Sequence, residues 1–104
     1  MNVDLTNQVA LVTGAARGIG RAIADQFVAN GAQVVYADLD FELVRTVAAR
    51  SKLGSALAMD VSSETQVESG VAQVIKDHGR LDILVNNAGI NTMKYRVNID
   101  QFPL

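Results

Sequence analysis

The sequence predicts an α/β fold: a doubly wound parallel sheet with helices on both faces. Three observations carry this reading. Four short apolar runs, Val9 to Val12, Val34 to Ala37, Ala56 to Met59 and Ile83 to Val85, are continuous rather than alternating, as suits strands covered on both faces. Three helical patterns separate them, long enough to return the chain across a sheet by right-handed crossovers. The first run breaks directly into Thr13-Gly14-Ala15-Ala16-Arg17-Gly18-Ile19-Gly20, a glycine-rich turn between strand and helix. The expected order is βαβαβαβ in one domain over residues 1–104, with 90–104 starting the next loop or helix.

Each element has its own signal. In the first helix Ile19, Ala22, Ile23 and Phe27 recur at helical spacing as one apolar face, and Asn30-Gly31 ends it, glycine readily taking the left-handed C-cap conformation. The second helix is expected from about Phe41 to Arg50, with Asp40 as N-cap and Leu43, Val44 and Val47 facing inward. Gly54 releases the chain into the third strand. Ser63 with Gln66 is a capping-box signature for a third helix, with Val67, Val71, Val74 and Ile75 as its buried stripe and Gly79 as its stop. After Gly89 the pattern fades, and Phe102-Pro103-Leu104 reads as the approach to another helix.

Composition excludes several function classes. With 49% apolar residues the chain can bury a core. A net charge of −2 with scattered Lys and Arg provides no field for a polyanion, so nucleic acid is not an expected partner. There is no cysteine for a disulfide or thiolate metal site. No apolar stretch is of membrane-spanning length and Met1-Asn2-Val3-Asp4 does not begin a signal peptide, so a cytoplasmic location without membrane contact is expected.

The glycine turn carries the chemistry. Gly14, Gly18 and Gly20 remove Cβ atoms where the chain turns, where backbone meets a phosphate and where helix packs on strand, and the helix opening near Gly18 aims its partial positive charge at an anion. Asp38 closes the second strand, 18 residues after Gly20, where a carboxylate accepts hydrogen bonds from adenosine ribose hydroxyls and repels a 2′-phosphate. It therefore favours NAD over NADP. Asp38 could instead cap the next helix, although Asp40 can do that, and Arg17 could pair with a 2′-phosphate, the pyrophosphate or solvent. Taken alone, Asp60 reads as a turn or cap ahead of Ser62 and Ser63, and Asn86-Asn87-Ala88-Gly89 as a plain turn.

Together, Thr13 to Gly20, Asp38, Asp60-Val61 and Asn86 to Gly89 match in type, order and spacing the N-terminal, cofactor-binding half of a short-chain dehydrogenase/reductase, which the whole chain resembles. The resemblance implies a three-layer Rossmann-like sheet of strand order 3-2-1-4, ending before the family's strand 5. It implies that Gly14, Arg17, Gly18, Ile19 and Gly20 surround the pyrophosphate, with Ile19 toward the nicotinamide, and that Asp38 and Leu39 meet the adenosine. Asp60 and Val61 would hold the adenine edge, and Asn86, Ala88 and Gly89 would line the cofactor where the fourth strand ends.

The family's catalytic Ser and Tyr-x-x-x-Lys have no match. Tyr36 is followed four residues on by Asp40 and Tyr95 by Ile99; Tyr36 reads as core, and Tyr95 does not match the catalytic position. No catalytic residue and no metal ligand is therefore assigned. His78 reads as a structural, solvent-facing residue at a helix C-terminus, and Glu64, Glu68, Lys76 and Asp77 as a solvated face.

The expected function is the NAD-binding half of an oxidoreductase whose full-length form transfers hydride between NAD and a secondary alcohol or ketone, and forms a homo-oligomer. The alternative is a non-catalytic nucleotide-binding module or a decayed gene product. Because Ile83, Leu84 and Val85 suit a sheet interior, an unpartnered fourth strand would expose their side chains, and self-association of the fragment is expected.

Overall fold

A computed structural model describes residues 4–87. They form β1 (Val9–Thr13), α1 (Gly18–Ala29), β2 (Gln33–Asp38), α2 (Phe41–Ala48), β3 (Gly54–Ala58), α3 (Glu64–His78) and β4 (Ile83–Asn86). The sheet order is β3-β2-β1-β4, with every pairing parallel. The register sets Thr13 beside both Ala37 and Asn86, so the carboxyl ends of β1, β2 and β4 come to one edge. The chain changes direction between β1 and β4, the switch point at which open α/β sheets leave a crevice.

Side chains leave alternate faces of a strand, and this builds two cores. Ala10, Val12, Val34 and Tyr36 pack with Ala24 of α1 and Val44, Val47 and Ala48 of α2. On the other face Val9, Leu11, Val35 and Ala37 pack with Met59 and with Val67, Val71 and Val74 of α3. The architecture is three layers, as the sequence predicts. All of β1 is buried, whereas the outer strands are less covered than their apolar runs suggest: Ser55 and Ala58 of β3 are exposed, and Ile83, Leu84 and Val85 of β4 are half-buried. Among the described residues no helix is long and apolar enough to cross a membrane.

The structure corrects several expectations. The face α1 turns inward is not the one its large apolar residues mark: Gly20 and Ala24 are buried, Ile23 and Phe27 half-buried, Ala22 exposed, and Ile19 is 72% exposed. The cause is close approach, since a Cβ at Gly20 would overlap the Gly14 carbonyl oxygen. Small residues let α1 settle against the turn, and Ile19 is rotated outward. α2 ends at Ala48 rather than Arg50, because the backbone tightens into i to i−3 bonds from Arg50 to Val47 and from Ser51 to Ala48. β3 begins at Gly54 and ends at Ala58, and Met59, placed in the strand by its apolar run, is buried just beyond it.

Other expectations stand. Asp40 caps α2 by accepting from the Leu43 N–H at 3.2 Å, Ser63 caps α3 by accepting from the Gln66 N–H at 3.2 Å, and Gly79 ends α3 at φ +83°. Tyr36 is core, and its hydroxyl donates to Asp25 Oδ1 at 2.7 Å. Burial and that bond hold the phenol well above the ordinary tyrosine range. Glu64, Glu68, Lys76 and Asp77 are all exposed along the outer face of α3, whereas His78, expected to face solvent, is half-buried, with Nδ1 2.8 Å from Gln33 Oε1. Ala88, Gly89, Tyr95 and the segment Phe102 to Leu104 lie outside the described residues.

Candidate functional site

At the carboxyl edge of the sheet the chain leaves β1 at the buried Thr13 and turns through Gly14, at φ +64°, to Gly18, at φ +67°, where α1 begins. Positive φ is what glycine provides without steric cost. The turn is tied to β2 twice: the Ala15 N–H donates to the Ala37 carbonyl at 3.1 Å, and the Ala16 N–H to Asp38 Oδ2 at 3.1 Å. Asp38 Oδ1 accepts from the Asp40 N–H at 3.0 Å. The carboxylate thus bridges the glycine turn and the loop entering α2. It does not cap α2, which Asp40 does.

The start of α1 differs from those of its neighbours. Its N-cap is Arg17, in extended conformation, with no side-chain cap and no acidic residue in the first turn. α2 and α3 each have a side-chain cap and a glutamate in the first turn. Helix N-terminal amides attract an anion, and a side-chain carboxylate or hydroxyl usually satisfies them. In α1 that end opens onto a cleft of about 310 Å³, lined by Gly14, Arg17, Asp38, Leu39, Met59, Val61 and Asn87.

Five of those seven are expected site residues: Gly14, Arg17, Asp38, Leu39 and Val61. Gly18, Ile19 and Gly20 follow directly in the turn and first helical residues. Leu39 is 71% exposed, so two large apolar side chains, Ile19 and Leu39, stand out beside the cleft. Asp60 sits one residue from the lining. Its Oδ1 accepts from the Ser62 hydroxyl at 2.6 Å and the Ser62 N–H at 2.9 Å, the local turn its position suggests, and these bonds hold its carboxyl below the usual range. Asn86 ends β4, where its Oδ1 accepts from the Thr13 hydroxyl at 3.1 Å.

Two lining residues are not among those the sequence marks. Met59 reads there as part of a strand. Asn87 reads as a turn residue beside Asn86, yet its side chain lines the cleft, its Nδ2 would lie 2.5 Å from a Cβ at Gly20, and its N–H donates to Thr13 Oγ1 at 3.0 Å. The adjacent Asn-Asn pair is its signal; which of the two reaches inward depends on strand phase.

Arg17 has a partner that its own segment does not suggest. Its guanidinium lies 3.0 Å from Asp40 Oδ2, with both side chains substantially exposed. The Leu43 N–H first, and then Arg17, hold the Asp40 carboxyl below the usual carboxylate range.

Sheet order, helix layers and a glycine turn at the switch point define a Rossmann-like α/β protein. The model of the short chain dehydrogenase family matches residues 8–102, and the chain belongs to that family. It is 46% identical over 90 residues to a galactitol 2-dehydrogenase of Agrobacterium fabrum, covering 86% of this chain and 35% of the relative. It is 42% identical over 87 residues to a sorbitol dehydrogenase of Cereibacter sphaeroides, covering 83% and 34%. The structure resembles that of a 3-ketoacyl-(acyl-carrier-protein) reductase from Brucella melitensis complexed with NADH, with a TM-score of 0.79 and 41% identity over 84% of this chain and 36% of that one. The chain spans about a third of the length of these relatives.

Proposed function

We propose that this chain is the NAD-binding half of an oxidoreductase whose whole protein transfers hydride between NAD and a secondary alcohol or ketone. The observation that carries the reading is the α1 N-terminus. Alone among the three helices of the described residues it has no side-chain cap, and it opens onto a cleft beside a glycine turn that has no room for a Cβ at Gly20. That combination fits a pyrophosphate held by backbone amides.

Gly14, Gly18 and Gly20 bring those amides close, with Ile19 toward the nicotinamide end. Asp38 orients the adenosine ribose. Each of its oxygens accepts one N–H bond, and a carboxylate has about four acceptor sites, which leaves capacity for ribose hydroxyls. Its negative charge disfavours a 2′-phosphate, which makes NAD the preferred dinucleotide. Leu39, Asp60 and Val61 contact adenine, and Asn86, Ala88 and Gly89 line the cofactor beyond β4. The dinucleotide bound there supplies the hydride acceptor or donor of the reaction. A neighbour solved with NADH, and relatives named as sorbitol and galactitol dehydrogenases, support this reading.

The 104 residues contain no Tyr-x-x-x-Lys pair, so by themselves they bind without turnover. Titration calorimetry of the chain with NAD and NADP is the test. Binding of NAD, with NADP weaker, is expected; absence of heat with NAD, or equal affinity for both, overturns the reading.

A further inference from the structure

Arg17 is the one cation among the described residues that line the cleft, and Asp38 the one carboxylate. The two have opposite consequences for a dinucleotide with a 2′-phosphate: a carboxylate repels it, and a guanidinium is the side chain best suited to bind it. What separates them in this fold is Asp40, which lies outside the lining. Its carboxylate is divided between two tasks, Oδ1 accepting from the Leu43 N–H at 3.2 Å and Oδ2 holding the Arg17 guanidinium at 3.0 Å. Asp38 in turn fixes Asp40 through the Asp40 N–H at 3.0 Å, and fixes the turn that carries Arg17 through the Ala16 N–H at 3.1 Å. One carboxylate anchors both ends of the ion pair.

We propose that Asp40 is a specificity-determining residue of this cleft, acting through Arg17: the ion pair withdraws the guanidinium from a 2′-phosphate and so adds to the preference for NAD set by Asp38. This rests on the dinucleotide reading above and assigns discrimination to a second, indirect residue. Asp40 is a positioning residue, since its contacts are with the protein.

The geometry sets the size of the effect. Both partners are exposed, with side-chain exposures of 67% and 43%, so the pair is screened and its strength modest. Releasing Arg17 is therefore worth about a twofold to fivefold gain for NADP relative to NAD, with Asp38 still opposing it.

The test is Asp40→Asn, which removes the charge but keeps a side chain equally good at an N-cap, so α2 stays capped. Dissociation constants for NAD and NADP are measured by titration calorimetry at low salt for the wild type, Asp40→Asn, Arg17→Ala and the double variant. The expected result is a ratio of the NADP constant to the NAD constant that falls about twofold to fivefold in Asp40→Asn, with no such fall when the substitution is made in the Arg17→Ala background. A ratio unmoved in Asp40→Asn, or a fall of the same size without Arg17, overturns the proposal while leaving NAD binding intact. A wild-type chain that binds neither dinucleotide overturns both this proposal and the reading beneath it. Far-ultraviolet circular dichroism of each variant checks that α2 is retained.

Discussion

Replacing Gly20 by alanine tests the packing on which the site depends. A Cβ there would overlap the Gly14 carbonyl oxygen, crowd the Gly14 carbonyl carbon at 2.8 Å and approach Asn87 Nδ2 at 2.5 Å. Asn87 is a side chain and can yield, but Gly14 is backbone, held between β1 and the Ala15 and Ala16 N–H bonds to β2. α1 must therefore lift from the turn. Inserting a methyl into a close-packed site costs about 1–3 kcal/mol, and the backbone partner places this case toward the upper end. Alanine recovers about 0.5–1 kcal/mol of helix propensity over glycine. The net loss of about 1–2 kcal/mol lowers the unfolding midpoint by roughly 5–15 °C for a domain of this size. Lifting α1 also moves its amide end, so NAD affinity falls at least tenfold.

The assay is thermal unfolding by circular dichroism together with NAD titration, with Gly79→Ala as a control. Gly79, at φ +83°, has open space where a Cβ would stand and lies at the far end of α3, so its substitution costs about 1–2 kcal/mol of backbone strain and leaves NAD affinity unchanged. A Gly20→Ala chain that melts within about 2 °C of wild type and binds NAD as tightly would refute the reasoning, because the close approach would then be dispensable.

Two further outcomes are expected. Tyr36→Phe removes the donor to Asp25 at 2.7 Å, but Asp25 keeps Arg50 at 2.9 Å and Arg21 at 3.8 Å; urea denaturation should show a loss of about 1 kcal/mol with NAD binding unaffected, and a loss above about 3 kcal/mol would mean the network is cooperative. Asp40, Asp60 and Asp82 are held below the ordinary carboxylate range, chiefly by the Leu43 N–H, the Ser62 hydroxyl and the Arg80 guanidinium respectively. Their contribution is fully present above the unfolded value of about 3.9 and is lost as pH falls below it through the folded values. Stability should accordingly be level between about pH 5 and 7 and decline below about pH 4, and equal urea midpoints at pH 6 and pH 3 would contradict this.

Much of the fold is legible in the residues because its signals are local. The continuous apolar runs mark the strands, Asp40 and Ser63 cap the helices they precede, and Gly79 stops α3, each acting within a few residues of itself. The glycine turn likewise reports a tight strand-to-helix junction in its own sequence, and so points to a phosphate cradle.

What the residues do not show depends on elements distant along the chain. Ile19 has the periodicity of a buried residue, yet the fit of Gly20 against Gly14 turns it outward. Asn87 rather than Asn86 lines the cleft, a matter of strand phase against β1. Asp40 is legible as a helix cap but not as the partner of Arg17. The parallel register of β1 and β2 brings the loop before α2 beside the turn before α1 and places the two side chains within 3.0 Å. The sequence by itself determined the order of elements and the chemistry available at the sheet's edge. Tertiary structure decided which of those groups face the cleft and which are held by one another, since orientation and pairing follow from close packing between segments that local propensity does not relate.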